Sequence, residues 1–367
     1  MDKPLYVTRP YLPPLAEVLP SLESIWERRV LTNAGPYHQE FERELASFLG
    51  VPHISLVTNG TVALSLALEA LDIQGEVITT PFSFVATSHA LMMRGVEPVF
   101  ADLAYGSVNI DPVQVEKAIT DRTTAIMPVH CYGIPCDVNG LETVARNHHL
   151  HLIYDAAHAF GVGGRDDILN RGDMSTLSFH ATKAFNTFEG GAIISSNAER
   201  KGAIDRLRNF GFRDELCVDA LGANGKMSEF SAALGLVQLT HFEDIRRRRQ
   251  EIDARYRSAF ADVAGLTCLS YDGIDRPNYS YFPVFIGPEF RVTRDALYDE
   301  LKSRNIHGRR YFYPLISNFA MYRGLPSSRP INLPNATRMA NEVLCLPMYP
   351  DLDAADQDRI IGIVRGD

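Results

Sequence analysis

The chain has 367 residues, of which 46% are hydrophobic and 22% charged, and its formal net charge is −9. This composition predicts a globular protein with more than one core, and the negative charge argues against a general nucleic-acid or membrane-surface role. No run is long and apolar enough to predict a membrane span, the start lacks a signal-peptide pattern, and five scattered cysteines suit reduced thiols, so we expect a cytoplasmic protein.

Helical and strand patterns alternate along the first two-thirds of the chain. Apolar spacing predicts helices over 15–28, 37–49, 62–71, 83–94 and 138–149, and strands over 77–80, 98–102, 125–129 and 150–155. This alternation indicates βαβ units and a mostly parallel sheet, in which ligands gather at the carboxyl ends of the strands.

The last third of the chain has a different pattern. A long charged helix is predicted around 240–257, and the elements expected at 281–286, 293–304 and 354–364 suggest a smaller α+β unit. We therefore predict a large domain over residues 1–240, which includes an N-terminal arm, and a small C-terminal domain over 241–367.

Two charged residues follow predicted strands. The apolar run 150–154 stops at Asp155, and Lys183 stands alone among small, aromatic and polar residues, ahead of Gly190 and Gly191. A lysine amine can form a Schiff base with an aldehyde, and a carboxylate can keep a pyridine nitrogen protonated. The pair therefore predicts a site for pyridoxal 5′-phosphate (PLP), although a surface lysine and a strand-end aspartate are the commoner explanation for either residue alone.

Other residues could complete such a site. These candidates are Gly60, Thr61, Phe82, Phe84, His158 and Ser178. The first two directly precede a predicted helix, whose free amides and dipole favour a phosphate, and the serine could add a hydroxyl. Either phenylalanine could stack on the ring, and the histidine could reach its phenolic oxygen. A helix cap, core phenylalanines and a turn histidine are the alternative explanations.

Taken in order, these segments resemble the DegT/DnrJ/EryC1/StrS sugar aminotransferases. The resemblance runs from Leu31 to about Phe312 and rests on segments 31–36, 58–61, 81–87, 130–133, 155–161, 178–191 and 222–229. It implies the α/β fold of PLP-dependent aspartate aminotransferase (fold type I), with a large mixed-sheet domain and a small α+β C-terminal domain.

The resemblance also implies roles for individual residues. Lys183 would be the Schiff-base lysine, Asp155 the partner of the pyridine nitrogen and Phe84 the stacking aromatic. The phosphate would be bound by Gly60, Thr61 and Ser178. Asn224 would reach the phosphate in a second subunit, which implies a homodimer with shared active sites.

Two comparisons with the family pattern concern the chemistry. Many members have glutamine where this chain has His158, and either side chain can donate a hydrogen bond to the phenolic oxygen. A dehydrating branch of the family has histidine in place of the Schiff-base lysine, so the presence of Lys183 favours transamination.

The residues of segment 178–191 resemble those of the corresponding segment in enzymes that aminate C4 of dTDP-4-keto-6-deoxy-D-glucose. The expected donor is L-glutamate, and the expected product is dTDP-4-amino-4,6-dideoxy-D-glucose, a deoxyamino sugar suited to lipopolysaccharide or O-antigen. The sugar nucleotide carries a diphosphate, so polar or basic groups are expected near the pocket mouth. Candidate substrate contacts, each of which could equally be structural, are Phe82, His180, Glu189, Arg213, Lys226, Arg309, Arg310, Tyr311 and Tyr313.

Other functions remain open at this point. Amination at C3 or of another nucleotide sugar would keep the aminotransferase prediction. A PLP lyase or aldolase would use Lys183 and Asp155 but also need an arginine fork for an α-carboxylate, which the sequence does not show clearly. A binding or regulatory homologue would not need that pair. No metal is predicted, because Cys131 and Cys136 lack a second pair at zinc spacing.

Overall fold

A computed structural model describes residues 3–163 and 167–367. Within these ranges the α-helices are α1 (Leu15–Arg28), α2 (Pro36–Leu49), α3 (Gly60–Ala70), α4 (Ala86–Met92), α5 (Pro112–Lys117), α6 (Val138–Asn147), α7 (Ala198–Leu207), α8 (Glu229–Phe260), α9 (Arg294–Ser303), α10 (Pro334–Glu342) and α11 (Ala354–Arg365). The strands there are β1 (Leu5–Tyr6), β2 (Ile54–Val57), β3 (Glu76–Thr79), β4 (Glu97–Phe100), β5 (Thr123–Met127), β6 (His151–Asp155), β7 (Met174–Ser178), β8 (Gly191–Ser195), β9 (Phe212–Asp214), β10 (Cys217–Val218), β11 (Leu266–Cys268), β12 (Phe282–Ile286), β13 (Ile306–His307) and β14 (Val343–Leu346).

A seven-stranded sheet has the order β2-β8-β7-β6-β5-β3-β4, and β8 alone among these strands runs antiparallel to its neighbours. Successive residues of a strand enter different apolar clusters: Tyr154 packs in one cluster, and Ile153 packs in another with the helix residues Leu64 and Ala67. Since side chains alternate across a strand, these clusters lie on opposite faces. The predicted fold class, an α/β chain with a large mixed sheet, is confirmed.

The C-terminal part has its own core. Strands β11, β12 and β14 form an antiparallel sheet, and its apolar residues pack with α9 and α11. Strand β1 of the N-terminal arm pairs in parallel with β13, where Leu5 lies opposite Ile306, so the arm crosses to this part.

Helix α8 connects the two parts and begins well before residue 240. Ser228 caps it by accepting a hydrogen bond from the N–H of Ser231 at 3.1 Å. Phe242 packs in a core of the large sheet, and Tyr256 and Phe260 pack in the C-terminal core. The predicted boundary at 240/241 thus falls inside a continuous helix, and we propose that the two domains meet within α8.

The carboxyl ends of β2, β3, β6 and β7 meet at one edge of the large sheet because these strands are parallel. The loops that begin there contain most of the predicted site residues. Over the described ranges, none of the helices is long and apolar enough to cross a membrane. The same ranges contain no group of three or more His, Cys, Asp or Glu side chains placed to hold a metal ion.

Candidate active site

A cavity of about 540 Å³ opens at the carboxyl ends of these strands. Ten of the predicted site residues line it: Gly60, Thr61, Phe84, Asp155, His158, Ser178, His180, Lys183, Glu189 and Tyr311. Residues far apart in the sequence therefore meet at the ends of the strands, as the sequence predicts.

Asp155 ends β6 and is only 5% exposed. Its carboxylate accepts hydrogen bonds from the Thr87 hydroxyl at 2.7 Å and from the N–H of Ala157 at 3.1 Å. Burial raises the pKa of the Asp155 carboxyl above its ordinary value, while the two donors and nearby Lys183 lower it in part. The site thus contains a buried carboxyl whose charged form is stabilised by groups from two further elements.

Lys183 lies in the loop between β7 and β8. Its N–H donates to the carbonyl of His180 at 2.9 Å, which closes a turn directly before the lysine side chain. Burial lowers the pKa of the Lys183 amine to about 8, while Asp155 and Cys131 raise it in part. A larger fraction of this amine is therefore neutral at physiological pH than of an ordinary lysine.

The start of α3 forms another wall of the cavity. The Asn59 side chain caps this helix by accepting a hydrogen bond from the N–H of Val62 at 2.9 Å. A Cβ added at Gly60 would lie 2.8 Å from Cβ of Ser178, so glycine lets the helix start lie directly against the end of β7. Unpaired helix amides and a serine hydroxyl thus meet at one place, as an anion requires.

His158 also lines the cavity and is 6% exposed. Its Nδ1 accepts a hydrogen bond from the N–H of Tyr132 at 3.1 Å. The ring is parallel to that of Phe312, with centroids 6.0 Å apart, and Tyr281 packs edge-on at 5.0 Å. Burial and the charge of Lys183 hold the pKa of His158 well below its usual value, which favours a neutral imidazole.

The two candidate phenylalanines have different positions. Phe84 is 57% exposed and lines the cavity. Phe82 is fully buried and packs edge-on against Tyr132 and Phe312, so the structure places it in the core behind the site rather than at a substrate.

The remaining candidates lie outside the lining of the cavity in the single chain. Arg213 is exposed, with acidic side chains beside it at 3.6 and 3.8 Å. Lys226 donates to Asn209 at 2.7 Å, and Asn224 is exposed. Arg309 is also exposed, and Arg310 pairs with Asp295 at 2.7 Å and lies over the exposed ring of Tyr313.

A family comparison decides what kind of protein this is. The model of the DegT/DnrJ/EryC1/StrS aminotransferase family matches residues 16–365. The chain belongs to this family. Enzymes of this family depend on PLP, and their description as aminotransferases confirms the predicted enzyme class rather than a lyase or a binding protein.

Three proteins show how similar the chain is to other members of this family. It is 49% identical over 366 residues to a dTDP-4-amino-4,6-dideoxy-D-glucose transaminase of Shigella dysenteriae and 52% identical over 368 residues to one of Escherichia coli. Each alignment covers 100% of this chain and 99% of the relative. The crystal structure of DesI with its TDP-sugar product superposes with a TM-score of 0.93 and 37% identity, covering 100% of this chain and 93% of DesI.

Several residues of this DegT/DnrJ/EryC1/StrS site were missed by the sequence analysis. The chief ones are Thr87, Tyr132, Tyr281 and Phe312. Thr87 belongs to segment 81–87, one helical turn after Ser83, whose hydroxyl lies 3.0 Å away. That four-residue spacing could have suggested Thr87. The sequence around Tyr281 and Phe312 contains no local signal that points to this cavity.

Proposed function

We propose that the protein transfers an amino group from L-glutamate to C4 of dTDP-4-keto-6-deoxy-D-glucose, giving dTDP-4-amino-4,6-dideoxy-D-glucose, with PLP held by Lys183. One observation carries the substrate assignment: about half of all residues, over the whole chain, are identical to those of two transaminases named for that amino sugar. The site geometry supports the reaction class, because an amine and a buried carboxyl face one cavity.

The residues present fit PLP in chemistry. The helix start at Gly60 and Thr61, with Ser178, is suited to the phosphate, and Phe84 offers an aromatic face to the ring. Asp155 accepts two hydrogen bonds that stabilise its anion. A partner of a protonated pyridine nitrogen must carry this negative charge. When bound, PLP supplies a ring that takes up the electron pair released at the carbon next to the amine.

Each side chain of the site would then have a separate role in the reaction. Lys183 provides the amine that holds the cofactor covalently and, when released, moves a proton to and from the substrate carbon as general acid and base. Asp155 keeps a positive charge on the ring nitrogen, and His158 offers a hydrogen bond to the phenolic oxygen. Tyr311 and Phe312 line the same cavity and limit the space for water and substrate.

The two polar residues that flank Lys183 are proposed as sugar contacts. His180 Nε2 and the Glu189 carboxylate lie 3.6 Å apart on the cavity wall. Nδ1 of His180 accepts the N–H of Thr182 at 3.2 Å, which fixes the ring orientation. A carboxylate at this place can accept hydrogen bonds from sugar hydroxyls, and unpaired polar groups penalise a substrate that lacks them.

The experiment supplies the purified protein with glutamate and a panel of 4-keto and 3-keto sugars on dTDP, UDP and GDP. Mass spectrometry and NMR of the products should show amination at C4 of the dTDP-linked 4-keto sugar. Amination at C3 alone, or a clear preference for another nucleotide, would refute the substrate assignment and leave the family activity intact.

The lowered pKa of Lys183 predicts a pH-dependent reaction of the cofactor-free protein with PLP. Only the neutral amine attacks an aldehyde, and with a pKa of about 8 roughly a tenth of it is neutral at pH 7, against well under a thousandth for an ordinary lysine. Covalent capture, followed by absorbance, should speed up about tenfold between pH 6 and 7 and level off above 8. In Asp155→Asn the midpoint should move to lower pH, because Asp155 raises the pKa of Lys183. A rate that still climbs steeply at pH 9 would contradict the shift.

The hydroxyl of Thr87 predicts a further effect. Thr87→Val keeps the shape but removes the 2.7 Å donor to Asp155, which raises the pKa of that carboxyl further and weakens its anion. We expect a loss in kcat equivalent to one hydrogen bond to a charged group, about 1.5–3 kcal/mol. The matched control is Thr143→Val, whose hydroxyl donates to the backbone carbonyl of Asn139 on the exposed face of α6. Equal kcat in the two variants would show that Thr87 does not support Asp155.

We also propose a homodimer in which Asn224 reaches the phosphate of the neighbouring site. Asn224 is exposed in the single chain and is therefore available to a second subunit. Asn224→Ala should weaken PLP binding by about 1.5–3 kcal/mol, the value of one hydrogen bond to a charged group. Equilibrium dialysis measures that loss, and a fully active monomer in sedimentation would rule out the shared site.

A further inference from the structure

Tyr132 has an unusual backbone for a buried aromatic residue. Its φ of 55° and ψ of 15° lie in the left-handed region, and its side chain is 1% exposed. A residue with a Cβ adopts this conformation at a free-energy cost and keeps it only where its surroundings enforce it. Here the conformation directs the Tyr132 N–H at Nδ1 of His158, 3.1 Å away.

That hydrogen bond decides where the proton of His158 lies. A backbone N–H can only donate, so Nδ1 must be the acceptor, and a neutral imidazole then carries its hydrogen on Nε2. The opposite edge of a ring that lines the cavity is thereby a donor. The parallel rings of Tyr132 and Phe312, each within 5° of the His158 plane, restrict its rotation.

A second contact holds the backbone of His158. Its carbonyl accepts hydrogen bonds from Asn278 Nδ2 at 2.8 Å and from the Ser280 hydroxyl at 3.2 Å. Asn278 Nδ2 also donates to the carbonyl of Phe160 at 2.9 Å, so it spans the whole turn after Asp155. The Asn278 side chain is 2% exposed and comes from the segment just before β12.

The turn at Tyr132 and the hydrogen bonds to the His158 carbonyl lie directly against each other. A Cβ added at Gly133 would lie 2.8 Å from Oδ1 of Asn278 and 2.9 Å from the carbonyl of His158. Buried Arg249 donates to the carbonyls of Tyr279 and Ser280, each at 3.2 Å, and so holds the segment that carries Asn278. The left-handed turn at Tyr132 and the His158 backbone are therefore fixed relative to each other by the C-terminal part of the chain.

We propose that Asn278 and Ser280 are positioning residues that keep His158 against the Tyr132 amide and so fix it as the Nε2–H tautomer. Its consequence for catalysis rests on the proposed function: only this tautomer offers a neutral donor to the phenolic oxygen of PLP. A glutamine at this position always has an N–H donor, whereas histidine needs its tautomer fixed.

The tautomer is measured by long-range ¹H–¹⁵N NMR of the purified full-length protein labelled with ¹⁵N-histidine. The signal of His158 is assigned by its loss in His158→Gln. We expect the Nε2–H pattern in the wild type and a shift toward a mixture of tautomers in Asn278→Ala. The control Asn335→Ala removes a comparable 2.9 Å bond to the carbonyl of Leu103 and should leave the signal unchanged.

Two spectroscopic results would overturn the proposal: an Nδ1–H pattern in the wild type, or an unchanged His158 pattern in Asn278→Ala. If Asn278→Ala does not fold, Ser280→Ala takes its place, since it removes the 3.2 Å bond to the same carbonyl and must alter the same signal. The spectrum needs no substrate, so a failure to aminate sugars would refute the proposed function and not the tautomer.

Kinetics separate positioning from general stability. Asn278→Ala should lower kcat about tenfold in the wild-type background, the effect of losing roughly one hydrogen bond. In the His158→Gln background the same change should lower kcat less than about twofold, because glutamine has no tautomer to fix. An equal loss in both backgrounds would show that Asn278 does not act through the tautomer of His158.

Discussion

Lys183→Ala is expected to lower kcat by roughly 10³-fold or more, because it removes both the covalent link to the cofactor and the group that moves the proton. Folding should be retained: the side chain is a buried amine whose pKa is lowered to about 8, so its removal relieves a desolvation cost. The measurement is steady-state amino transfer from glutamate to the keto sugar. Lys302→Ala, on the exposed face of α9, is the matched control and should keep full activity.

The attachment point is tested directly by chemistry. Borohydride reduction of the PLP-loaded protein should fix the cofactor on one peptide, and peptide mapping should place it on Lys183. An adduct on another lysine, or a Lys183→Ala variant within tenfold of wild-type kcat, would refute the role of this residue.

The central pair of residues was predictable because each signal is local. Asp155 ends an apolar strand and Lys183 stands alone ahead of two glycines, and parallel strands bring such ends to the same edge. Thr87 and Asn278 act through hydrogen bonds to residues 68 and 120 positions away. No spacing rule connects Asn278 to His158, because the two meet only once the C-terminal part has packed on the sheet.

Two other differences have plain physical causes. Phe82 and Phe84 lie two residues apart, and the sequence does not show that the loop after β3 points one inward and the other into the cavity. The first turns of α8 contain many small residues and a weak apolar pattern, so the helix was expected only from its charged part onward. The proposed contact of Asn224 needs a second chain, which one sequence can indicate only by resemblance.

Asp155→Asn is expected to lower kcat by roughly 10²–10³-fold, the usual cost of removing one preorganised electrostatic group from a reacting centre. Asparagine keeps the size and can still accept the hydrogen bond from Thr87, but it carries no charge to hold the ring nitrogen protonated. Bound cofactor should remain detectable by absorbance, since Lys183 and the phosphate contacts are unchanged.

Stability distinguishes this loss from unfolding. Burial raises the pKa of Asp155 in the folded protein, so the folded state binds this proton more tightly than the unfolded chain. Its contribution to stability is therefore present below the unfolded pKa and is lost as the pH rises through the folded value. In the cofactor-free protein at pH 7, Asp155→Asn should thus unfold at the same temperature as the wild type or higher, measured by circular dichroism. Near-normal turnover in Asp155→Asn would show that another group protonates the ring, whereas a large drop in the unfolding temperature would make Asp155 a structural residue.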